Sequence, residues 1–324
     1  MQLHQSFSDY YGTVETFNKT INETIWGNGN YYIHDAIFSF HYQNTAIYLD
    51  SSSKVLLETC TFYNNSSTQN GGSFYIENSD CFLVHICILL SSIVSGSLGG
   101  CGYEIYSVEN SNNKSYAFES SISQCNGHHA SFYHFHGDIK VSNMNTSYHN
   151  EITWFAAYIM QDPTGTGIIN FTTASNISSP NAGMANSGDL NITKCNYLNN
   201  DCRKSNSIFS LYGSVTYSSC SFIGNKGNYL FENKPTIDNC YFNNNNVTQT
   251  IYNNADTFDS IEPLDSFISH YSTYYCIAAE IKENKDDTFK KYKEEKFKMK
   301  NIKNIVNKVY RTPFLGAVNL SVLK

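Results

Sequence analysis

Proline is scarce in this sequence, and so are basic side chains over most of its length. Five prolines stand in 324 residues, and residues 1 to 279 carry 9 Lys and Arg against 22 Asp and Glu, a balance of −13. So acidic a body argues against nucleic acid as a partner. Few prolines beside many Asn and Ser point to short strands joined by polar turns, not to long helices. The first residues, Met1-Gln-Leu-His-Gln-Ser, lack the basic and apolar stretches of a secretory leader, so either a cytosolic protein or an incomplete amino terminus is expected. Only residues 81 to 98 approach the length of a membrane span. His85 interrupts that run and Cys87 falls in step with a cysteine repeat, so two buried strands and a loop are expected there. Metal-binding patterns of the Cys-x-x-Cys or His-Glu-x-x-His kind are missing as well.

Aromatic residues are plentiful at 15%, which argues against disorder. They take part in a repeat of cysteine, aromatic two residues on and asparagine three further. It reads Cys60, Phe62, Asn65; Cys195, Tyr197, Asn200; Cys220, Phe222, Asn225; and Cys240, Phe242, Asn245, with Cys87 and Leu89 as a degenerate copy. A second motif of small residues followed by a short alternating strand precedes it at 46–49, 71–76, 99–103, 130–134, 156–159 and 207–211. A unit of two or three strands without a helix cannot bury its own apolar face and must stack on its neighbours. The expected fold is therefore all-β: a right-handed parallel β-helix of about nine rungs, with crossover hand taken from the general rule. Residues 1–30 read as an N-terminal cap or leader remnant, 31–278 as the β-helix, 279–311 as a basic amphipathic helix and 312–324 as a tail. The basic helix is expected to cover the open end of the coil, with a peripheral membrane or protein contact as the alternative.

Cysteine and aromatic lie two apart, so both leave one strand face and point into the coil. The cysteines are then mostly buried thiols, and the asparagines fall at a corner where left-handed backbone and amide ladders are tolerated. Aligning the second motif puts Tyr48, Tyr75, Tyr103, Tyr133 and Tyr158 in one outward stripe, the candidate ligand-binding face; Gly102 and Glu104 break the inward phase beside Tyr103. The competing reading is that stacked tyrosines only stabilise the sheet. His128, His129, His134, His136 and His149 cluster, with His134 and His136 on one strand face, but they read as interior or corner residues and no metal or other cofactor is expected. Polysaccharide cleavage would require carboxylates paired on adjacent rungs. Asp138, Asp162, Asp189 and Asp238 are scattered singly, Asp286-Asp287 lies in the charged tail, and no catalytic residue is assigned. Eleven Asn-x-Ser/Thr sequons permit secretion without showing it.

The Phe-x-x-Asn spacing (Phe62 to Asn65, Phe222 to Asn225, Phe242 to Asn245) together with Gly71-Gly72-Ser73-Phe74 resembles the repeats of polymorphic outer-membrane proteins and of protist surface β-helix proteins. The resemblance spans about residues 31 to 250 and implies display at the cell surface, or secretion, and adhesion. The expected function is non-enzymatic binding of glycans or host proteins along an exposed sheet face. A pectinase-like polysaccharide lyase or glycoside hydrolase, and an intracellular scaffold, are the alternatives.

Overall fold

A computed structural model describes residues 6–94, 99–127, 129–150, 155–202 and 207–264. The segments 279–311 and 312–324, together with His128, lie outside the described residues. The chain winds into a right-handed parallel β-solenoid of about eight turns, against the about nine units counted in the sequence, with almost no helix. Each turn adds one strand to each of three sheets. The first sheet runs from Ile25–Trp26 through Ile47–Leu49, Phe74–Glu77, Tyr103–Tyr106, Phe132–Phe135 and Phe155–Gln161 to Lys226–Phe231 and Asn246–Ile251. The second contains Phe17–Lys19, Tyr31–His34, Lys54–Glu58 and Asp80–Val84, and the third Ile37–Ser39, Thr61–Tyr63, Asn196–Leu198, Ser221–Ile223 and Tyr241–Asn243.

Alternation of burial explains why these segments are strands. In the first sheet Ile47, Phe74, Tyr103, Phe132, Met184 and Phe209 form an inward file with no exposed surface. The facing file of the third sheet is Phe38, Phe62, Ile88, Ile122, Thr146, Ala174, Tyr197 and Phe222. Large residues of one file face smaller ones of the other through the first turns: Phe38 and Phe62 accompany Ile25 and Ile47, whereas Phe132 and Tyr158 accompany Ile122, Thr146 and Ala174. Such compensation keeps those turns of the tube filled, as close-packed interiors require. Stacked rings give the aromatic runs their order, with centroids 4.9 Å apart for Phe38 and Phe62 and 4.9 Å for Phe222 and Phe242.

The bends are single residues in left-handed backbone. Between the second and third sheets stand Asp35, Thr59, His85, Glu119, Asn143, Phe171, Lys194, Ser219 and Asn239, all at positive φ. The conformation costs about 1–2 kcal/mol for a residue with a Cβ, and the stacked neighbours must hold it in place. The repeat cysteines follow directly and serve this bend. Cys60 Sγ donates to the Ile33 carbonyl at 3.4 Å, Cys220 Sγ to Ile192 at 3.5 Å and Cys240 Sγ to Tyr217 at 3.4 Å. Cys220 Sγ also accepts from the Cys195 amide at 3.4 Å, and Cys240 Sγ from the Cys220 amide at 3.4 Å. The thiols thus satisfy backbone groups that the bend removes from the ladder.

Eight cysteines, Cys60, Cys81, Cys101, Cys125, Cys195, Cys202, Cys220 and Cys240, are buried thiols. Burial pushes the Cys60 and Cys202 thiols up to about 12, and Cys240 is raised first by its hydrogen bond with Cys220. Iodoacetamide at neutral pH should therefore modify none of these eight in the folded protein and all of them after denaturation, as read by mass spectrometry. Rapid labelling of Cys60 or Cys240 in native protein would contradict the closed bends.

A second bend, between third and first sheets, is again left-handed at Phe40, Asn64, Leu90, Gln124, Tyr148, Asn176, Asn199, Gly224 and Asn244. The residue after it carries the ladder. Asn200 Nδ2 donates to the Ala174 carbonyl at 3.1 Å, Asn225 Nδ2 to Tyr197 at 2.9 Å and Asn245 Nδ2 to Phe222 at 2.8 Å. The side chains are joined as well, Asn200 Nδ2 to Asn225 Oδ1 at 3.0 Å and Asn225 Nδ2 to Asn245 Oδ1 at 2.9 Å. Asn65 closes the first part of the coil in the same way through Phe38 O and the His41 amide. In the middle His149 substitutes, its Nδ1 lying 3.2 Å from the Cys125 amide.

Sequence expectations are corrected at the cysteine file and at the amino end. Cys87 is not in the cysteine file: it pairs with Thr61, while Ile88 pairs with Phe62 and Leu89 with Tyr63, so Ile86 and Ile88 take the places assigned to Cys87 and Leu89. A slip of one residue turns every side chain of a strand over. The coil begins before residue 31, since Phe17–Lys19 pairs with Tyr31–His34 and Ile25–Trp26 with Ile47–Leu49. The helix Phe7–Tyr11 does not cap an end: Phe7, Tyr10 and Tyr11 lie against Leu56 and Phe82 on the outside of the second sheet, and Tyr11 Oη donates to Val55 O and Asp80 O, each at 2.9 Å. At the carboxyl end Phe258 covers the last turn, stacked on Phe242 with centroids 5.9 Å apart, and Ser260 Oγ accepts from the Phe242 amide at 2.9 Å. Residues 81–94 form strands as expected, and no helix among the described residues is long and apolar enough to cross a membrane.

Candidate functional site

The outer face of the first sheet brings together part of the tyrosine stripe. Its register runs Trp26, Tyr48, Tyr75, Glu104, Tyr133, Ile159, Ala185. Tyr48, Tyr75 and Tyr133 therefore share one outward file, as the alternation of Ile47-Tyr48-Leu49 and Phe74-Tyr75-Ile76 dictates. Tyr103 and Tyr158 do not. They stand in the inward file with no exposed surface, Tyr103 between Phe74 and Phe132, and Tyr158 bonded to Tyr197 Oη at 2.9 Å. Matching Tyr103-Glu104-Ile105 to Phe74-Tyr75-Ile76 by its aliphatic third residue would have found the correct phase; for Tyr158 the strand carries an irregular register between Phe155 and Tyr158 that alignment by tyrosine cannot show.

Trp26 extends the file and was outside the predicted coil. Its ring stacks on Tyr48 with centroids 5.0 Å apart, and Tyr48 on Tyr75 at 5.3 Å. Trp26 is 46% exposed, Tyr75 only 8%. Stacked rings cover one another's faces, so the file shows solvent its edges and hydroxyls, plus the outer indole face at the end. Beside it Tyr106 and Phe135 form a second stacked pair at 4.9 Å. Carboxylates line the edge: Tyr75 Oη donates to Glu77 Oε2 at 3.1 Å, and burial followed by Asp50 and Glu77 raises the Tyr48 phenol.

Glu104 interrupts the file and is 2% exposed. The segment from Gly99 to Gly102 covers it. Only glycine permits this approach, because a Cβ on Gly100 would lie 1.9 Å from the Tyr103 carbonyl and one on Gly72 1.9 Å from that of Cys101. Asn70 Nδ2 reaches Glu104 Oε1 at 3.4 Å, while Oε2 has no hydrogen-bond partner among the described residues. Burial, offset in part by a hydrogen bond from the Gly100 backbone and helped by Glu77, pushes the carboxyl up to about 8, so it is mostly protonated at neutral pH.

The histidines do not converge. His134 points inward, bonded to Tyr103 Oη at 2.8 Å and Ser115 Oγ at 2.7 Å, whereas His136 sits at a left-handed bend with Nδ1 3.0 Å from the Asp162 carbonyl. Among the described residues no group of three or more His, Cys, Asp or Glu is placed to hold a metal. The site is thus a strip of aromatic edges with one open indole face and an acidic border, suited to stacking and hydroxyl recognition. No family model, no curated protein and no solved structure matches this chain.

Proposed function

We propose that this chain is a non-enzymatic binding protein, displayed at a surface or secreted, that holds glycans along the outer face of its first sheet. The stacked file Trp26, Tyr48, Tyr75, open at its indole end, carries the reading. Aromatic faces stack on the apolar side of sugar rings, and the carboxylates of Asp50 and Glu77 accept hydroxyls at the border. A host protein is the other ligand that such a strip accommodates. Display at a surface rests on the resemblance of the Phe-x-x-Asn and Gly-Gly repeats to polymorphic outer-membrane and protist surface β-helices. Cleavage of the bound glycan would need two carboxyls in reach of one glycosidic bond. On this face Glu104 is shut beneath Gly99 and Gly100, and Glu77 of the Asp50 and Glu77 pair already accepts the Tyr75 hydroxyl at 3.1 Å, which favours retention of the ligand over its hydrolysis.

Glycans captured on an array by the full chain should lose about tenfold or more in affinity when Trp26→Ala and Tyr48→Ser are combined, with the β-rich circular dichroism unchanged. They should also quench indole fluorescence, a signal that Trp26→Ala reduces. Undiminished binding by the double variant would remove the aromatic file from consideration.

A further inference from the structure

A separate recess of about 340 Å³ opens on the outer face of the second sheet, lined by Phe118, Lys140, Ser142, Asn143, Ile168 and Asn170. It begins where the helix Phe7–Tyr11 stops covering that sheet. Tyr116 and Phe118 are the last side chains packed beside the helix, and the next two turns continue the Tyr116 file with Lys140 and Ile168. The size falls within the range of about 300–1,000 Å³ usual for small-molecule sites, and toward its lower end, which suits a single ring.

Its walls are of two kinds. Phe118 and Ile168, both half-buried, give apolar surface on opposite sides. The Ser142 hydroxyl and the amides of Asn143 and Asn170 give neutral donors and acceptors between them, and Asn143 stands at a left-handed bend with φ 55°. The charges at the edge are already matched inside the protein. Lys140 Nζ donates to Asp138 Oδ2 at 3.0 Å and to Tyr116 Oη at 2.6 Å, and Glu119 Oε2 lies 2.8 Å from His85 Nε2. A charged ligand would give up hydration without gaining an uncommitted counter-ion. A neutral ring with one apolar face and a rim of hydroxyls loses nothing of the kind.

We propose that this recess binds a single neutral pyranose, its apolar face between Phe118 and Ile168 and its hydroxyls on Ser142, Asn143 and Asn170. The site uses no residue of the aromatic file and stands or falls separately from it.

Saturation-transfer NMR on the bacterially expressed full chain tests it, with methyl β-D-glucopyranoside, methyl β-D-galactopyranoside and N-acetylglucosamine as neutral probes and glucuronate and glucosamine as charged ones. At least one neutral sugar should bind in the millimolar range, and the charged sugars about tenfold more weakly or worse. In the Trp26→Ala background, which removes the open indole face of the aromatic file, Ser142→Ala with Asn170→Ala should weaken the neutral sugar about fivefold or more. Both substitutions are on the surface, and the circular dichroism should not move. Transfer to no neutral sugar, preference for a charged one, or binding indifferent to the Ser142 and Asn170 pair would each overturn the site. Absence of any transfer in the Trp26→Ala background would assign the sugar to the aromatic file and overturn the recess as well.

Discussion

Replacing Asn225 by alanine should lower the unfolding free energy by about 3–5 kcal/mol. Its side chain has no exposed surface and is bonded on both sides. Nδ2 donates to Tyr197 O at 2.9 Å and to Asn245 Oδ1 at 2.9 Å, while Oδ1 accepts from the Asn200 amide at 3.2 Å and from Asn200 Nδ2 at 3.0 Å. Truncation leaves a buried backbone N–H, a buried carbonyl and two side-chain amides short of partners, each costing about 1–3 kcal/mol less whatever water recovers. Asn199→Ala is the contrast. Asn199 is exposed and only supplies the left-handed bend at φ 54°, so its loss should cost about 1 kcal/mol. Urea denaturation of both variants measures the difference, and equal losses would refute the ladder as the stabilising element.

Stability should peak near pH 6.5, with a steep decline on the acid side. Burial holds His134 at about 3 and His149 and His129 at about 4, below the ordinary value of 6.5. These groups are neutral when folded and take up protons on unfolding, so stability falls as pH drops below 6.5. Glu104 acts in the opposite direction. Its folded value of about 8 lies above the ordinary 4.5, so its contribution is complete below 4.5 and is lost as pH rises toward 8. One pH unit is worth about 1.4 kcal/mol per fully linked group. From pH 8 to 6.5 stability should therefore rise, and below 6.5 three histidines against one carboxyl give a net fall of roughly 3 kcal/mol per unit. Glu104→Gln should flatten the alkaline limb and stabilise the protein at pH 7 by about 3 kcal/mol. Thermal unfolding across this pH range reads both limbs, and a flat profile between 6.5 and 4.5 would mean that the histidines are not sealed in the core.

Much of the coil was legible because its repeat is chemical as well as periodic. Cys60, Phe62 and Asn65 do three different jobs in one turn, thiol at the bend, ring in the tube and amide on the ladder, and a sequence that repeats all three can be aligned without ambiguity. Alignment failed where only one of the three was present. Cys87 has no aromatic two residues on, and Tyr103 and Tyr158 were matched by residue type alone, although the register is irregular between Phe155 and Tyr158. The aromatic file was legible at Tyr48, Tyr75 and Tyr133 and hidden at Trp26, whose strand is two residues long. Glu104 was visible only as a break in phase, since nothing local marks a carboxyl that Gly99 to Gly102 will cover. The recess around Phe118 and Ile168 joins residues from separate turns, and no spacing along the chain announces it.

The ladder has a direction. Every asparagine amide reaches back to a carbonyl of the preceding turn, Asn245 to Phe222 and Asn225 to Tyr197, and every repeat thiol does likewise, Cys240 to Tyr217 and Cys220 to Ile192. The bend carbonyls of a turn are thus met by side chains of the turn made after it. During synthesis from the amino end, the newest turn always waits with its bend groups open until about 20–30 more residues have emerged, the length of a repeat of this kind. The growing rod carries a single unlocked turn at its tip, and the last of these is closed not by another asparagine but by Ser260 and Phe258.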